Sequence, residues 1–302
     1  MNILITGGAG FIGVNLTAKL NAIGVSPRII DNEVLGKEAN LAGLSYTYIK
    51  ADIRDANACI DAVKGMDCVV HLAADTRVIP SIENPRFNFD NNTLGTFNLL
   101  EAMRQTKVGR IVAASTGGAI LGERTPPVHE EMLPKPVSPY GASKLAMEGY
   151  LSAFAGSYGI AATALRFSNV YGERSIHKGS VVAAFFRRII AGKSITIYGD
   201  GEQIRDYVYI KDLCDGIIKA VNSGKAGVFQ LGTGIPTTLN QLVALMREVT
   251  GREIEVLYEP FRDGEIRHTY CDIAKARREL GFDPATPLKD GLTATWNWFL
   301  AQ

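Results

Sequence analysis

Ile3-Leu4-Ile5-Thr6-Gly7-Gly8-Ala9-Gly10-Phe11-Ile12-Gly13 carries a short apolar run straight into a glycine-rich turn and then into residues with helical apolar spacing. A strand that feeds a helix through Gly7, Gly10 and Gly13 aims backbone N–H groups and a positive helix end at one point. Without Cβ atoms in the way, a pyrophosphate can approach it closely. The spacing is GxxGxxG rather than GxGxxG, and the physics is the same.

Outward from this turn, short apolar runs recur at residues 28–31, 46–50, 68–72, 110–115 and 161–167. Segments with helix-like apolar spacing, 11–23, 87–104 and 140–158, lie between several of them. Alternation of this kind predicts an α/β fold, a Rossmann-type doubly wound parallel sheet covered on both faces. After residue 167 the pattern loosens into a Gly/Asp/Arg-rich stretch at 198–206 and helical segments at 239–250 and 273–280. That portion suits a smaller C-terminal substrate-binding lobe closing over the carboxyl edge of the sheet, where such folds bind ligands. The expected division is therefore 1–167 as the dinucleotide-binding domain, with 206–232 returning to it through a helix at 211–221 and a strand at 227–231. The remainder of 168–302 forms the lobe.

The 302 residues are 46% apolar and 21% charged, with a net charge of +1. This is an ordinary globular composition with no general field for nucleic acid or an anionic membrane, so local groups must hold any anionic ligand. Cys59, Cys68, Cys214 and Cys271 form no CxxC pair and no His/Cys spacing suited to zinc. No metal is expected, and buried thiols fit a reducing compartment. With no basic leader and no run near the roughly 18 apolar residues of a membrane span, the chain reads as cytoplasmic.

Asp31 ends the second apolar run, near the distance of about 20 residues at which an acid meets the cofactor ribose. Its carboxylate accepts from the ribose hydroxyls and repels a 2′-phosphate. Asn32 and Glu33 follow it rather than an arginine, which favours NAD over NADP. Far downstream, Tyr140-Gly-Ala-Ser-Lys144 sets a phenol and an ammonium four residues apart on one helix face. A tyrosine of pKa about 10 needs up to roughly three units of stabilisation, about 4 kcal/mol, to act near neutrality. The lysine is positioned to supply much of it and a cationic nicotinamide the rest, so Tyr140 is a candidate acid/base.

With these residues in place, the chain resembles the extended short-chain dehydrogenase/reductase family, and within it the nucleotide-sugar epimerases and dehydratases. The resemblance runs nearly end to end. It includes GGAGFIG, Asp31-Asn32, Asp52-Ile53, His71-Leu-Ala-Ala74, Asn92-Thr-Leu-Gly-Thr96, Ser115-Thr-Gly-Gly118, SPYGASK, Arg166-Phe-Ser-Asn169-Val-Tyr-Gly172 and Arg205-Asp-Tyr-Val-Tyr-Ile-Lys-Asp212. It implies a UDP-glucose 4-epimerase-like isomerase with Tyr140, Lys144 and Thr116 as its catalytic set. Phe11, Ile12, Asn32, Asp52, Ile53, Leu72, Ala73, Ala74, Asn92 and Ser115 join the glycines, Asp31, Tyr140 and Lys144 along the cofactor. Strand alternation lets only one of Ser115 and Thr116 face the cleft, and Thr116 is the expected sugar contact.

On the substrate side the resemblance implies Ser81, Thr116, Asn169, Ser180, Val181, the uracil-packing pair Ile197-Tyr198, the phosphate-binding Arg205 and Arg262, Glu265 on the ribose, and Thr269 beside the sugar C2 group. Arginine forks suit a diphosphate. Dehydratases and decarboxylases of this family carry acids directly after the hydroxyl residue, whereas Gly117, Gly118 and Ala119 stand here. The implied reaction is inversion at C4 of a UDP-hexose through a transient 4-keto sugar. Tyr140 takes the C4 hydroxyl proton as hydride passes to NAD. Threonine at 269 leaves room for an N-acetyl group, and a homodimer through the helices at 87–104 and 140–158 is expected. The rival readings are a 4,6-dehydratase or uronate epimerase, and a non-catalytic NAD-binding sensor built on the same fold.

Overall fold

Aliphatic runs too short for helices form six strands in the first half of the computed structural model, which describes residues 1–261 and 266–302. They are β1 (Ile3–Thr6), β2 (Arg28–Asp31), β3 (Thr47–Lys50), β4 (Cys68–His71), β5 (Arg110–Thr116) and β6 (Ala161–Phe167). Helices α1 (Phe11–Ala22), α2 (Ala56–Val63), α3 (Val78–Glu83), α4 (Pro85–Asn88), α5 (Gly95–Thr106), α6 (Gly117–Leu121) and α7 (Pro139–Tyr158) lie among them. The later elements are β7 (Asn169–Tyr171), α8 (Val181–Ile190), β8 (Ile195–Tyr198), β9 (Ile204–Arg205), β10 (Tyr207–Tyr209), α9 (Ile210–Ser223) and β11 (Gly227–Leu231). After them come β12 (Thr237–Thr238), α10 (Leu239–Thr250), β13 (Val256–Glu259), α11 (Ala274–Leu280) and α12 (Leu288–Leu300).

The main sheet has seven parallel strands in the order β3-β2-β1-β4-β5-β6-β11. Its central strands β1 and β4 are buried along their whole length, as a sheet covered on both faces requires. Leu16 and Leu20 of α1 share one core with Ile217 and Val221 of α9. Val63 of α2, Leu99 and Met103 of α5 and Met147 and Leu151 of α7 fill the other face. Each such side chain contributes about 1.5–3 kcal/mol by leaving water. Strand order reverses between β1 and β4, so the loops after them diverge and open a crevice at the carboxyl edge.

Two helices carry the residues that edge needs. Ser138 caps α7 by accepting from the Gly141 N–H, Pro139 opens its first turn, and Gly159 at φ 69° ends it. The segment expected as one helix over 87–104 is instead α4, a π-turn at Phe89–Leu94 and α5. The wider turn accompanies a side chain that reaches sideways rather than along the helix. Asn92 is buried and spans the loop after β4 and α7 at once.

Among the described residues, the second half contains three strand pairs that the sequence pattern does not announce: β7 with β10, β9 with β12, and β8 with β13. Phe186 of α8 packs at a tilt against Trp296 and Phe299 of α12, which makes the aromatic centre of this part. No helix among the described residues is long and apolar enough to cross a membrane.

Candidate active site

Gly7 adopts φ +68°, and a Cβ there would lie 2.7 Å from the Ala73 nitrogen. A Cβ on Gly13 would lie 2.5 Å from the Gly8 Cα. Any other residue at either position would force the turn open. Gly10 caps α1 without a side-chain hydrogen bond, which leaves the N–H groups of Phe11, Ile12 and Gly13 for an anion. Opposite the turn, Leu72 and Ala73 are held by their N–H groups on the Thr6 carbonyl and hydroxyl, and Ala74 follows them.

Asp31 accepts from the N–H groups of Ala9 (3.0 Å) and Glu33 (2.8 Å), one on each carboxylate oxygen. Burial raises its pKa against those two bonds, and lone pairs on both oxygens remain for ribose hydroxyls. Asn32 donates to Asp52 at 2.9 Å. Burial would raise the Asp52 carboxyl, but the bonds from Arg54 and Asn32 outweigh it and bring it to about 2. Ile53 packs where a Cβ on Gly95 would sit, 2.6 Å from its Cδ1. A backbone cradle that Cβ atoms would fill and a carboxylate beyond it fit a dinucleotide.

Thr116 ends β5 beside Tyr140 of α7, and its hydroxyl acts on the phenol to lower its pKa. Ser81 fixes that tyrosine from behind: its hydroxyl accepts the Tyr140 N–H (3.1 Å) and donates to the Val78 carbonyl (2.6 Å). The alternation expected along β5 places Ser115 on the other side, where its hydroxyl donates to Glu148 at 2.6 Å. Asn92 donates to the Asp75 carbonyl and to Ser143 and accepts the Asp75 N–H. Its amide thus positions the loop beside the crevice.

Lys144 donates to the Ala114 carbonyl at 2.8 Å. Burial pushes its pKa down to about 8, partly countered by Glu148. Burial also drives Tyr140 up to about 12, with Thr116 acting downward and Asp75 upward. The ligand-free chain therefore moves the phenol in the direction opposite to the one anticipated from its lysine, because removal from water outweighs the fixed groups.

On the other wall, Asn169 is exposed at the start of β7, and Thr269 is tied to β9 by its N–H on the Ile204 carbonyl. A Cβ on Gly118 would lie 3.8 Å from the Thr269 Oγ1, so Thr269 stands across from the residues that follow Thr116. Ile197 is buried and Tyr198 partly exposed on β8. Arg205 donates to the carbonyls of Ile204 and Arg267. Ser180 opens α8 with a buried hydroxyl that has no partner among the described residues, and Val181 follows it. Arg262 and Glu265 lie outside the described residues.

Three groups of the site were given no role by the motif reading, although most of their residues stand inside the quoted motifs. His71 lies between Thr6 (2.7 Å) and Thr96 (2.9 Å). Since Thr96 gives its own proton to the Asn92 carbonyl, the imidazole is neutral with its proton on Nε2. Burial holds its pKa at about 3. Ser143 donates to the Tyr140 carbonyl while receiving Asn92. Glu148 and Arg166 form a buried two-pronged ion pair at 2.9 and 2.7 Å. Helical spacing from Lys144 was a signal for Glu148, but nothing local pointed to its partner on β6.

A family model described as the NAD dependent epimerase/dehydratase family matches residues 3–232. The chain is 39% identical to a putative UDP-glucose 4-epimerase of Methanocaldococcus jannaschii, over 98% of this chain and 97% of that protein. A UDP-glucose 4-epimerase structure from Thermotoga maritima with UDP-glucose superposes at a TM-score of 0.96 and 39% identity, covering 100% of this chain and 99% of that one. A UDP-N-acetylglucosamine 4-epimerase from Methanobrevibacter ruminantium, in complex with UDP-N-acetylmuramic acid, gives 0.94 and 34%, covering 100% and 98%. With a glycine cradle, an acid at the end of β2 and a Thr–Tyr–Lys set at one sheet edge, the chain belongs to the NAD dependent epimerase/dehydratase family.

Proposed function

We propose that the protein inverts C4 of a UDP-linked hexose, with Tyr140 as proton acceptor and donor, Thr116 as hydrogen-bond partner of the reacting hydroxyl, and Lys144 as its electrostatic support. The observation that carries this reading over elimination chemistry is the surroundings of Gly117. A Cβ there would lie 2.8 Å from the Oε1 of Gln230, which is wholly buried. No acid fits at that position without displacing a core amide, so the site offers no second proton carrier directly after Thr116.

Gly7, Gly10, Phe11, Ile12 and Gly13 would hold the pyrophosphate of NAD and Asp31 its adenosine ribose, with Asn32, Asp52, Ile53 and Leu72–Ala74 lining the rest. When bound, NAD supplies a hydride acceptor that returns what it takes, together with a positively charged ring. Lys144 is free to leave the Ala114 carbonyl for the nicotinamide ribose, which brings its charge toward the phenol. Tyr140 then removes the C4 hydroxyl proton, Thr116 holds the oxygen, and the same phenol returns a proton after the keto sugar has turned over. Ser81, Asn169, Ser180, Val181, Ile197, Tyr198 and Arg205, with Arg262 and Glu265, are assigned to the nucleotide-sugar. The first 167 residues with 206–232 serve the cofactor, and the remainder serves the substrate.

Thr269 is small and faces Gly118, which supports tolerance of an N-acetyl group at C2. Two copies are proposed to pair through the face of α5 and α7. The test is incubation with UDP-, dTDP- and GDP-sugars, plain and N-acetylated, without added reductant, read by mass and NMR. A product of unchanged mass inverted at C4 is expected from a UDP-hexose. A 4-keto-6-deoxy product would replace the reading by a dehydratase, and turnover of none of the sugars would sink it.

A further inference from the structure

Asp206 stands between β9 and β10, and at 2% exposure it is the most deeply buried acid among the described residues. The other buried acids have evident employment: Asp75 and Glu148 pair with arginines, and Asp31 is assigned to the cofactor ribose. Asp206 pairs with no cation among the described residues. Its carboxylate is surrounded by neutral donors instead. Oδ1 accepts the Thr233 N–H and the Thr233 hydroxyl, both at 2.8 Å. Oδ2 accepts the Gly234 N–H at 3.0 Å, the Cys271 N–H at 3.3 Å and the Cys271 thiol at 3.2 Å. A charge withdrawn from water persists where its lone pairs are filled in this way.

These bonds gather parts of the chain that are far apart in sequence. Thr233 and Gly234 follow β11 of the main sheet. Cys271 lies two residues after Thr269, and Asp206 directly follows Arg205. The Asp206 carbonyl accepts the Asn169 N–H at 2.9 Å, and the hydroxyl of Ser168, just before it, meets the Cys271 sulfur at 3.3 Å. A Cβ on Gly232 would collide with the Ser168 hydroxyl, the Asp206 Oδ2 and the Cys271 sulfur together, so only glycine lets the three meet. The backbones that carry Asn169, Arg205 and Thr269 are thus all referred to one buried side chain at the end of β11.

We propose that Asp206 is a positioning residue of the nucleotide-sugar site. Its carboxylate and carbonyl hold Asn169, Arg205 and Thr269 at fixed separations from the sheet, and this sets how tightly the nucleotide-sugar is held while leaving the cofactor side unaffected. The proposal rests on the substrate assignments above.

Calorimetry with UDP and with NAD on the full chain freed of nucleotide tests it, alongside KM and kcat for the UDP-sugar that is turned over. Asp206→Asn turns an amide N–H2 toward donors that need an oxygen. It should weaken UDP and raise KM about tenfold or more, with NAD affinity within about twofold of the parent and kcat within about threefold. Cys271→Ser keeps a donor aimed at Oδ2 and should weaken UDP less than Cys271→Ala does. UDP affinity and KM of Asp206→Asn within about twofold of the parent would overturn the proposal. So would a joint fall of UDP affinity, NAD affinity and kcat, which would make Asp206 a general tie of the fold, equal losses for the two Cys271 variants, or a parent that binds no UDP. If Asp206→Asn fails to fold, the Cys271 variants decide by the same readings. A parent that binds UDP but turns over no sugar would count against the epimerase reading alone, and the UDP affinities would still decide this one.

Discussion

Tyr140 is a poor base in the ligand-free chain. With its phenol at about 12, only a minute fraction is ionised near neutrality, and the nearby Asp75 opposes ionisation further. Lys144 is engaged with the Ala114 carbonyl, and in the proposed mechanism its charge reaches the phenol once the nicotinamide ribose offers it another partner. Tyr140→Phe removes the proton carrier while preserving the ring. It should lower kcat by about 10²–10⁴-fold and leave NAD affinity within about twofold, measured by turnover of the accepted UDP-sugar and by calorimetry. Retained turnover would show that another group moves the proton.

Helix α7 is the element that converts packing into chemistry, because Ser138, Tyr140, Ser143, Lys144 and Glu148 all lie on or at the start of it. Glu148 ties the helix to β5 through Ser115 and to β6 through Arg166. Its charge also raises the pKa of Lys144 against the effect of burial. The folded Lys144, at about 8, lies below free lysine, so its charge is present at lower pH and lost as pH rises past 8. Glu148→Gln keeps the shape but removes the negative charge and leaves Arg166 uncompensated, which should lower Lys144 further. The alkaline limb of kcat/KM should then move down by about one pH unit, with KM changed less than kcat. Replacing Arg166 by Gln as well should restore part of the shift. An unmoved limb in a folded Glu148→Gln protein would make the pair a purely structural tie. The helix itself was legible from the apolar spacing over 140–158, and Tyr140 and Lys144 fell on one face as spacing requires, while its caps at Ser138 and Gly159 come from the structure. The tie to Arg166 was not, because it joins residues whose proximity only the sheet creates.

At the scale of the whole molecule, the doubly wound sheet was readable because most of its strands are buried apolar runs bounded by turns, the edge strand β3 being the exception with no buried residue. The smaller strand pairs were not, since β9 and β12 have two residues each and their pairing depends on distant segments. Glycines illustrate the same divide. Gly7 and Gly13 belong to a recognisable spacing, whereas the reason for Gly117 is Gln230, more than a hundred residues away. The proposed pairing of two copies also belongs to this scale. Phe97 of α5 meets Tyr150 and Phe154 of α7 at ring separations of 5.6 and 6.2 Å, and Phe154 meets Tyr158 at 4.9 Å. Phe89, Phe97, Tyr150 and Tyr158 nevertheless remain exposed. An aromatic ladder open to water across two adjacent helices is a surface that a second copy would cover. Phe97→Lys with Tyr150→Lys places like charges opposite each other across such an interface. Light scattering at micromolar concentration should report twice the chain mass for the parent and a single chain for the double variant. A parent that is a monomer and fully active would remove the dimer, and a variant that still pairs would move the interface elsewhere on the surface.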